Sequence, residues 1–137
     1  MRLAFETAAQ LSTRVVRPGY DPAAQACGIV HFGIGAFHRA HQAAYTDAAM
    51  AAGDADWRIT GVSLRSADVA QQLNPQDGLF TLVERSSDAA SSRLNGTVPS
   101  VIVAPDNPDA VIGAIASAST HVVSFTVTEK AYVRRAD

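Results

Sequence analysis

The sequence predicts an α/β fold with a mainly parallel sheet. Three observations carry that expectation. Short β-branched and aromatic stretches alternate with helical patterns along the chain. A glycine-rich turn joins the first of those strands to the longest helical pattern. No internal repeat or low-complexity tract interrupts the alternation.

Composition bounds the reading. The 137 residues are 47% apolar and 18% charged, enough for one folded domain with a hydrophobic core. A net charge of -2 gives no electrostatic reason to expect nucleic acid or an anionic membrane as partner. Apolar stretches are broken well before the roughly 18 residues that a membrane span requires. Arg2 and Glu6 interrupt the amino terminus, which lacks the apolar run of a secretion signal. The one cysteine, Cys27, cannot pair within the chain and reads as a small residue at a strand edge. The expected location is the cytoplasm.

Residues 1–26 have no sustained period and are punctuated by Pro18, Gly19, Asp21 and Pro22. They read as an arm, with a short helix near Ala4 to Leu11. Residues 27–137 then read as the domain proper. Gly28 to Gly33 is a buried strand. Phe37 to about Ala52 is a single helix with Phe37, Ala40, Ala44, Ala48 and Ala51 on its inner face, stopped by Gly53 and Asp54. Trp57 to Leu64 is a second strand, and Ser66 caps a short helix that ends before Asn74-Pro75. Leu79 to Glu84 and Leu94 to Val103 form a β-hairpin insertion around the polar loop Ser86 to Arg93. Asn107 caps, and Pro108 opens, a helix reaching about Ser117. Val122 to Val127 is a buried strand with Phe125 and Val127 in the core. The chain ends ten residues later, where a further crossover helix is expected, so the domain reads as truncated.

The turn Gly33-Ile34-Gly35-Ala36-Phe37-His38 stands between strand and helix, the context that dinucleotide binding requires. Gly33 permits the tight turn, Gly35 admits a pyrophosphate to the backbone, and the helix start offers free N–H groups. A Rossmann-like fold follows as the expectation. His38 stands where a third glycine normally allows close packing, so either the helix is displaced or His38 points away from the sheet. Arg39, in the first helical turn, can add positive charge near phosphates. An acidic residue to hold the adenosine ribose is expected about 20 positions on, at the end of the next strand. Asp54 and Asp56 precede that strand and read as loop residues, while its end carries Leu64-Arg65-Ser66. Arg65 suits a 2′-phosphate, so the cofactor is read as NAD or NADP; an exposed surface arginine is the alternative. Past the last strand, Thr128 and Glu129 stand at the edge where open α/β sheets bind ligands, or else they only start a turn. His38 and His41, three apart, supply two potential metal ligands, too few for a site.

The run His31-Phe32-Gly33-Ile34-Gly35-Ala36-Phe37-His38-Arg39-Ala40-His41-Gln42 resembles the start of the long-chain mannitol dehydrogenase family. Trp57 to Leu64, Gln76 to Leu82 and Phe125 to Tyr132 resemble the same family in the same order. The resemblance spans about residues 27 to 132, and Phe-His-Arg-Ala-His is its most specific part. Ala131 departs from the glycine found in several members. The resemblance implies a zinc-free, two-domain oxidoreductase that moves a hydride between NAD(P) and a polyol or sugar acid. It also implies that a lysine base, with asparagine and histidine, lies in a later helical domain that also contacts the substrate. Lys130, the only lysine here, does not match that base, so no catalytic residue is expected in this chain. Two other readings stand beside this one: a self-standing NAD(P)-sensing module without chemistry, and an α/β interaction domain whose glycines only make turns.

Overall fold

Hydrophobic strands and short helices alternate through residues 2–127, the residues that the computed structural model describes. The chain enters through α1 (Phe5–Ala8), the two-residue strand β1 (Val15–Val16) and a 3-10 turn, Pro22–Ala24. Asp21 caps that turn by accepting from the Ala23 N–H. There follow β2 (Cys27–Phe32), α2 (Ala36–Ala40), α3 (Gln42–Ala51), β3 (Arg58–Ser63) and α4 (Asp68–Leu73). Strands β4 (Phe80–Arg85), β5 (Ala90–Asn95) and β6 (Ser100–Val103) lead to α5 (Pro108–Ile115) and β7 (Val122–Phe125).

The central sheet is parallel and four-stranded, in the order β6-β3-β2-β7. Period-two alternation sorts its side chains between two faces. Ile29, Ile59 and Val101 pack with Ile34, Ala43, Ala70 and Leu73 on one face. Val30 and Val62 pack against Val111 of α5 on the other. Strands β4 and β5 form an antiparallel hairpin, but its second arm is Ala90–Asn95, most of it in the stretch Ser86 to Arg93 expected as the loop, and not Leu94 to Val103; β1 pairs parallel to β5 in this second small sheet. Asn107 accepts from the Ala110 N–H and Pro108 opens α5, as the sequence predicts.

Five further expectations change. The stretch Leu94 to Val103 is not one strand, because Gly96 to Pro99 carry the chain from the hairpin sheet into the central sheet. The helix over Phe37 to Ala52 is two helices, broken at His41 (φ -118°, ψ -85°). There the His41 ring Nδ1 donates to the Phe37 carbonyl at 2.7 Å, competing with the helical ladder. Its inner face is Ala43, Thr46, Asp47 and Met50, whereas Phe37, Ala40, Ala48 and Ala51 are exposed. Ser66 does not cap α4: its carbonyl accepts from the Ser63 hydroxyl, and the helix starts at Asp68 without a side-chain cap. Phe125 and Val127 are 62% and 53% exposed, at and just past the end of β7, which lies at the edge of the sheet among the described residues.

Buried polar groups fasten the outlying pieces. Asn95 donates to the Ala43 carbonyl and accepts from Thr97, docking the hairpin on α3. Tyr20 of the arm donates to Asp47 at 2.7 Å. Burial raises the proton affinity of both groups, so each keeps its proton to higher pH than it would in water.

Candidate functional site

The sheet's strand order reverses at β2, whose neighbours β3 and β7 lead away in opposite directions. Ligands of open α/β sheets bind at such a reversal, beyond the carboxyl ends of the strands. The glycine turn stands there.

Gly33 adopts φ +92°, a conformation that L side chains rarely hold, and a Cβ on it would come within 3.3 Å of the Thr126 Cβ. Its N–H donates to the Val62 carbonyl, and its own carbonyl accepts from the Gly35 N–H. Gly35 faces open space: a Cβ there would find only the Gly33 carbonyl, 3.9 Å away. Among the described residues no backbone carbonyl takes the N–H groups of Ala36, Phe37 or His38, as the first turn of a helix dictates. Ile34 turns inward and is buried over Gly61, whose absent side chain would have stood 3.0 Å from the Ile34 Cγ1. Close approach of the turn to the sheet is thus provided by a glycine on β3.

Two clefts flank the turn. The first, about 430 Å³, is lined by Gly33, Ile34, Gly35, Arg65 and Val69 with neighbouring β3-end residues. Arg65 is exposed there. The second, about 340 Å³, is lined by His31, His38, His41, Gln42, Phe125 and Thr126, with Phe37 and Val127 at its rim. His38 is 2% exposed and lies flat on His31, with ring centroids 3.7 Å apart and planes 20° from parallel. This corrects the expectation that the helix is displaced or that His38 points away. The ring turns toward the sheet, and a flat imidazole on a flat imidazole keeps the helix close.

Both His38 ring nitrogens are buried without a hydrogen-bond partner among the described residues. Burial, then His31 and Arg39, push its pKa down to about 3, so the ring is neutral near pH 7. Burial also lowers that of His31, and the Gly33 carbonyl pulls it partway back. Arg39 is half-buried and donates to the Ile34 carbonyl at 3.4 Å, and burial weakens its hold on its proton.

Of the sequence-predicted residues, the structure brings Gly33, Ile34, Gly35 and Arg65 around one cleft, with Ala36 exposed beside it. His38 goes to the other cleft, and Phe37 is exposed, stacked on the His41 ring with centroids 4.2 Å apart. Thr128 and Glu129 lie outside the described residues, as does Lys130. Asp56 accepts from the Ala26 N–H at the opposite, amino-terminal end of the strands, far from any ribose at the glycine turn. The His41 Nδ1 is taken by the Phe37 carbonyl, and no group of three metal-ligating side chains forms among the described residues. No helix among them is long and apolar enough to cross a membrane. Sequence reasoning passed over His31. Its signal lay in the pattern: a histidine inside an apolar strand, matched by two polar residues, Ser124 and Thr126, at period-two spacing on another.

Comparison with known proteins agrees with this geometry. Residues 27–133 match the mannitol dehydrogenase Rossmann domain. A mannitol 2-dehydrogenase of Pyrenophora tritici-repentis is 46% identical over 108 residues, which is 77% of this chain and 19% of that protein. Pseudomonas fluorescens mannitol 2-dehydrogenase, in ternary complex with NAD and D-mannitol, superposes with a TM-score of 0.87 at 42% identity, covering 94% of this chain and 27% of that one. A D-sorbitol dehydrogenase in substrate-free form superposes with a TM-score of 0.90 at 33% identity, covering 99% and 29%. The chain therefore spans less than a third of each of these relatives.

Proposed function

The chain belongs to the mannitol dehydrogenase family, and on that footing we propose that it is the cofactor-binding part of an NAD(P)-dependent oxidoreductase acting on a polyol or sugar acid. Residues 1–26 are its arm, and 27–137 are the first part of its dinucleotide-binding domain. The carrying observation is the glycine turn: Gly33 at φ +92°, Gly35 facing open space, and unclaimed N–H groups at the strand-order reversal. The Pseudomonas fluorescens relative, seen with NAD and D-mannitol, supports the same reading.

The residues fit a pyrophosphate. Gly33, Ile34, Gly35 and Ala36 present backbone to it, since a side chain at Gly35 would fill the space it needs. Phe37, His38 and Arg39 flank it, Arg39 as the nearest cation on α2. Arg65 stands where the adenosine ribose is read in such folds, and its guanidinium favours a 2′-phosphate. Thr128 and Glu129, just past β7, are assigned to the nicotinamide ribose. When bound, the nicotinamide supplies the hydride acceptor or donor. The chain's own residues bind and orient it; the group that moves the substrate's proton, and the substrate contacts, are assigned to a later domain. The single cysteine suits a cytoplasmic location.

The test is to incubate the full-length protein with NAD or NADP and D-mannitol, D-sorbitol, D-arabinitol or D-mannonate, following reduced nicotinamide. Turnover with at least one of them is expected. Tight cofactor binding without turnover on any polyol or sugar acid would move the assignment to a sensing module. Absence of binding to either cofactor would remove the reading altogether.

A further inference from the structure

His31 is buried near the carboxyl end of β2, yet both of its ring nitrogens are engaged. Nδ1 lies 2.8 Å from the Ser124 hydroxyl, and Nε2 lies 2.9 Å from the Thr126 hydroxyl. The Thr126 hydroxyl in turn donates to the Gly33 carbonyl at 3.3 Å. A carbonyl only accepts, so the Thr126 proton is committed to Gly33, and the Thr126 oxygen must accept from the ring. With the Thr126 to Gly33 bond made, the neutral ring is the Nε2–H tautomer. Nδ1 is then an acceptor, filled by the Ser124 hydroxyl, which lies 3.4 Å from both the nitrogen and the oxygen of the Gln42 side-chain amide and, with its own proton given to the ring, accepts from the nitrogen. Four donors, from α3, β7, β2 and the residue after β7, then point their protons one way, from Gln42 to the Gly33 carbonyl.

The chain has a consequence for the turn. Gly33 is held at its N–H by β3, through the Val62 carbonyl, and at its carbonyl from two sides, by the Gly35 N–H at 2.7 Å within the turn and by the Thr126 hydroxyl at 3.3 Å from outside it. These anchors fix the peptide planes on either side of the residue whose φ of +92° shapes the turn. The ring is also stacked on His38, so it cannot swing without disturbing the second cleft. Burial disfavours protonation of both rings, which keeps the acceptor at Nδ1 available near neutral pH.

We propose that His31 is a positioning residue for dinucleotide binding: through Thr126 it locks the Gly33 carbonyl, and with it the glycine turn, in the binding conformation. This rests on the reading of that turn as the dinucleotide site. It assigns His31 a role through Thr126 and no contact with the ligand.

The test is made in the full-length protein, measuring NADH and NADPH dissociation constants and thermal midpoints together. Thr126→Val removes the hydroxyl with little change of shape, and binding should weaken about five- to tenfold, the loss of one well-placed hydrogen bond. Thr126→Ser should restore it. His31→Gln can still present a donor to Thr126 and should bind nearly as the parent does. His31→Asn reaches only toward Ser124, and His31→Phe keeps only the stack; both should weaken binding as Thr126→Val does. Nitrogen-15 chemical shifts of the ligand-free parent should show His31 as the Nε2–H tautomer. Thr126→Val binding as the parent does, or His31→Gln losing as much as His31→Phe, overturns the inference and leaves the proposed function standing. An Nδ1–H tautomer also overturns it. A parent protein that binds neither dinucleotide removes the proposed function and this inference with it.

Discussion

On one side of the glycine turn an exposed arginine lines an open cleft of about 430 Å³; on the other, two stacked imidazoles, one of them 2% exposed, back a cleft of about 340 Å³. The first cleft is walled by the ends of a strand and a short helix, and Arg65 makes no side-chain hydrogen bond among the described residues. The second is wired into the sheet through Ser124, Thr126 and Gln42. The contrast teaches where selectivity and rigidity reside. On the proposed reading, choice between cofactors lies on the open Arg65 side, and the rigidity of the turn lies on the hydrogen-bonded histidine side.

A substitution in the turn should break both sides at once and gives the largest effect. Gly35→Leu places a side chain in the space assigned to the pyrophosphate, and beyond its chain neighbours its Cβ meets no protein atom closer than the Gly33 carbonyl oxygen at 3.9 Å. NADH and NADPH binding, measured by fluorescence titration, should each weaken by about a hundredfold or more, in line with losing several charge-assisted bonds, while the thermal midpoint stays close to that of the parent. A parent-like affinity would dissociate the turn from the ligand.

Arg65→Ala should separate the two sides. NADPH binding weakens about tenfold or more for the loss of a charge-assisted contact to phosphate, and NADH binding changes little. Equal effects on both cofactors would return Arg65 to the status of a surface residue.

The effect of the histidine side on binding is the smallest, and its own signature is read as stability against pH. Unfolded, His38 takes up a proton around the ordinary value of 6.5; folded, it resists until about pH 3. Between these values the unfolded chain binds more protons, so stability is fully present above pH 6.5 and falls as pH drops, by up to about 1.4 kcal/mol per unit. His38→Phe should flatten this slope relative to the parent in urea titrations at a series of pH values. Comparing the two curves isolates His38 from Asp47, whose raised proton affinity acts in the opposite direction. An unchanged slope would show that His38 titrates normally in the folded protein.

The same contrast marks what the sequence made legible. The strand at Gly28 to Gly33, the turn after it and the Asn107-Pro108 helix start depend on local rules, and all three stand in the structure; of the hairpin only the first arm does, because the polar stretch Ala90 to Arg93 gave no sign of pairing as a strand. The inner face of α3 was misread because alanine sits as readily in water as in a core, so Ala44, Ala48 and Ala51 carry a period without a direction. The true face includes Asp47, buried because Tyr20 of a distant segment satisfies it. Phe125 looked like core because a β-branched run gives no sign of whether a strand is central or at an edge. Arg65 was legible from its place after a strand. His31 was not, because its meaning lies in hydroxyls more than ninety residues away in sequence.

The most direct test of the central claim is a crystal structure of the full-length protein with NAD or NADP bound. The account predicts the pyrophosphate against the backbone of Gly33 to Ala36, the adenosine ribose in the cleft beside Arg65, and the nicotinamide half on the β7 side of the turn. A dinucleotide bound elsewhere, with the glycine turn facing only solvent, would contradict it.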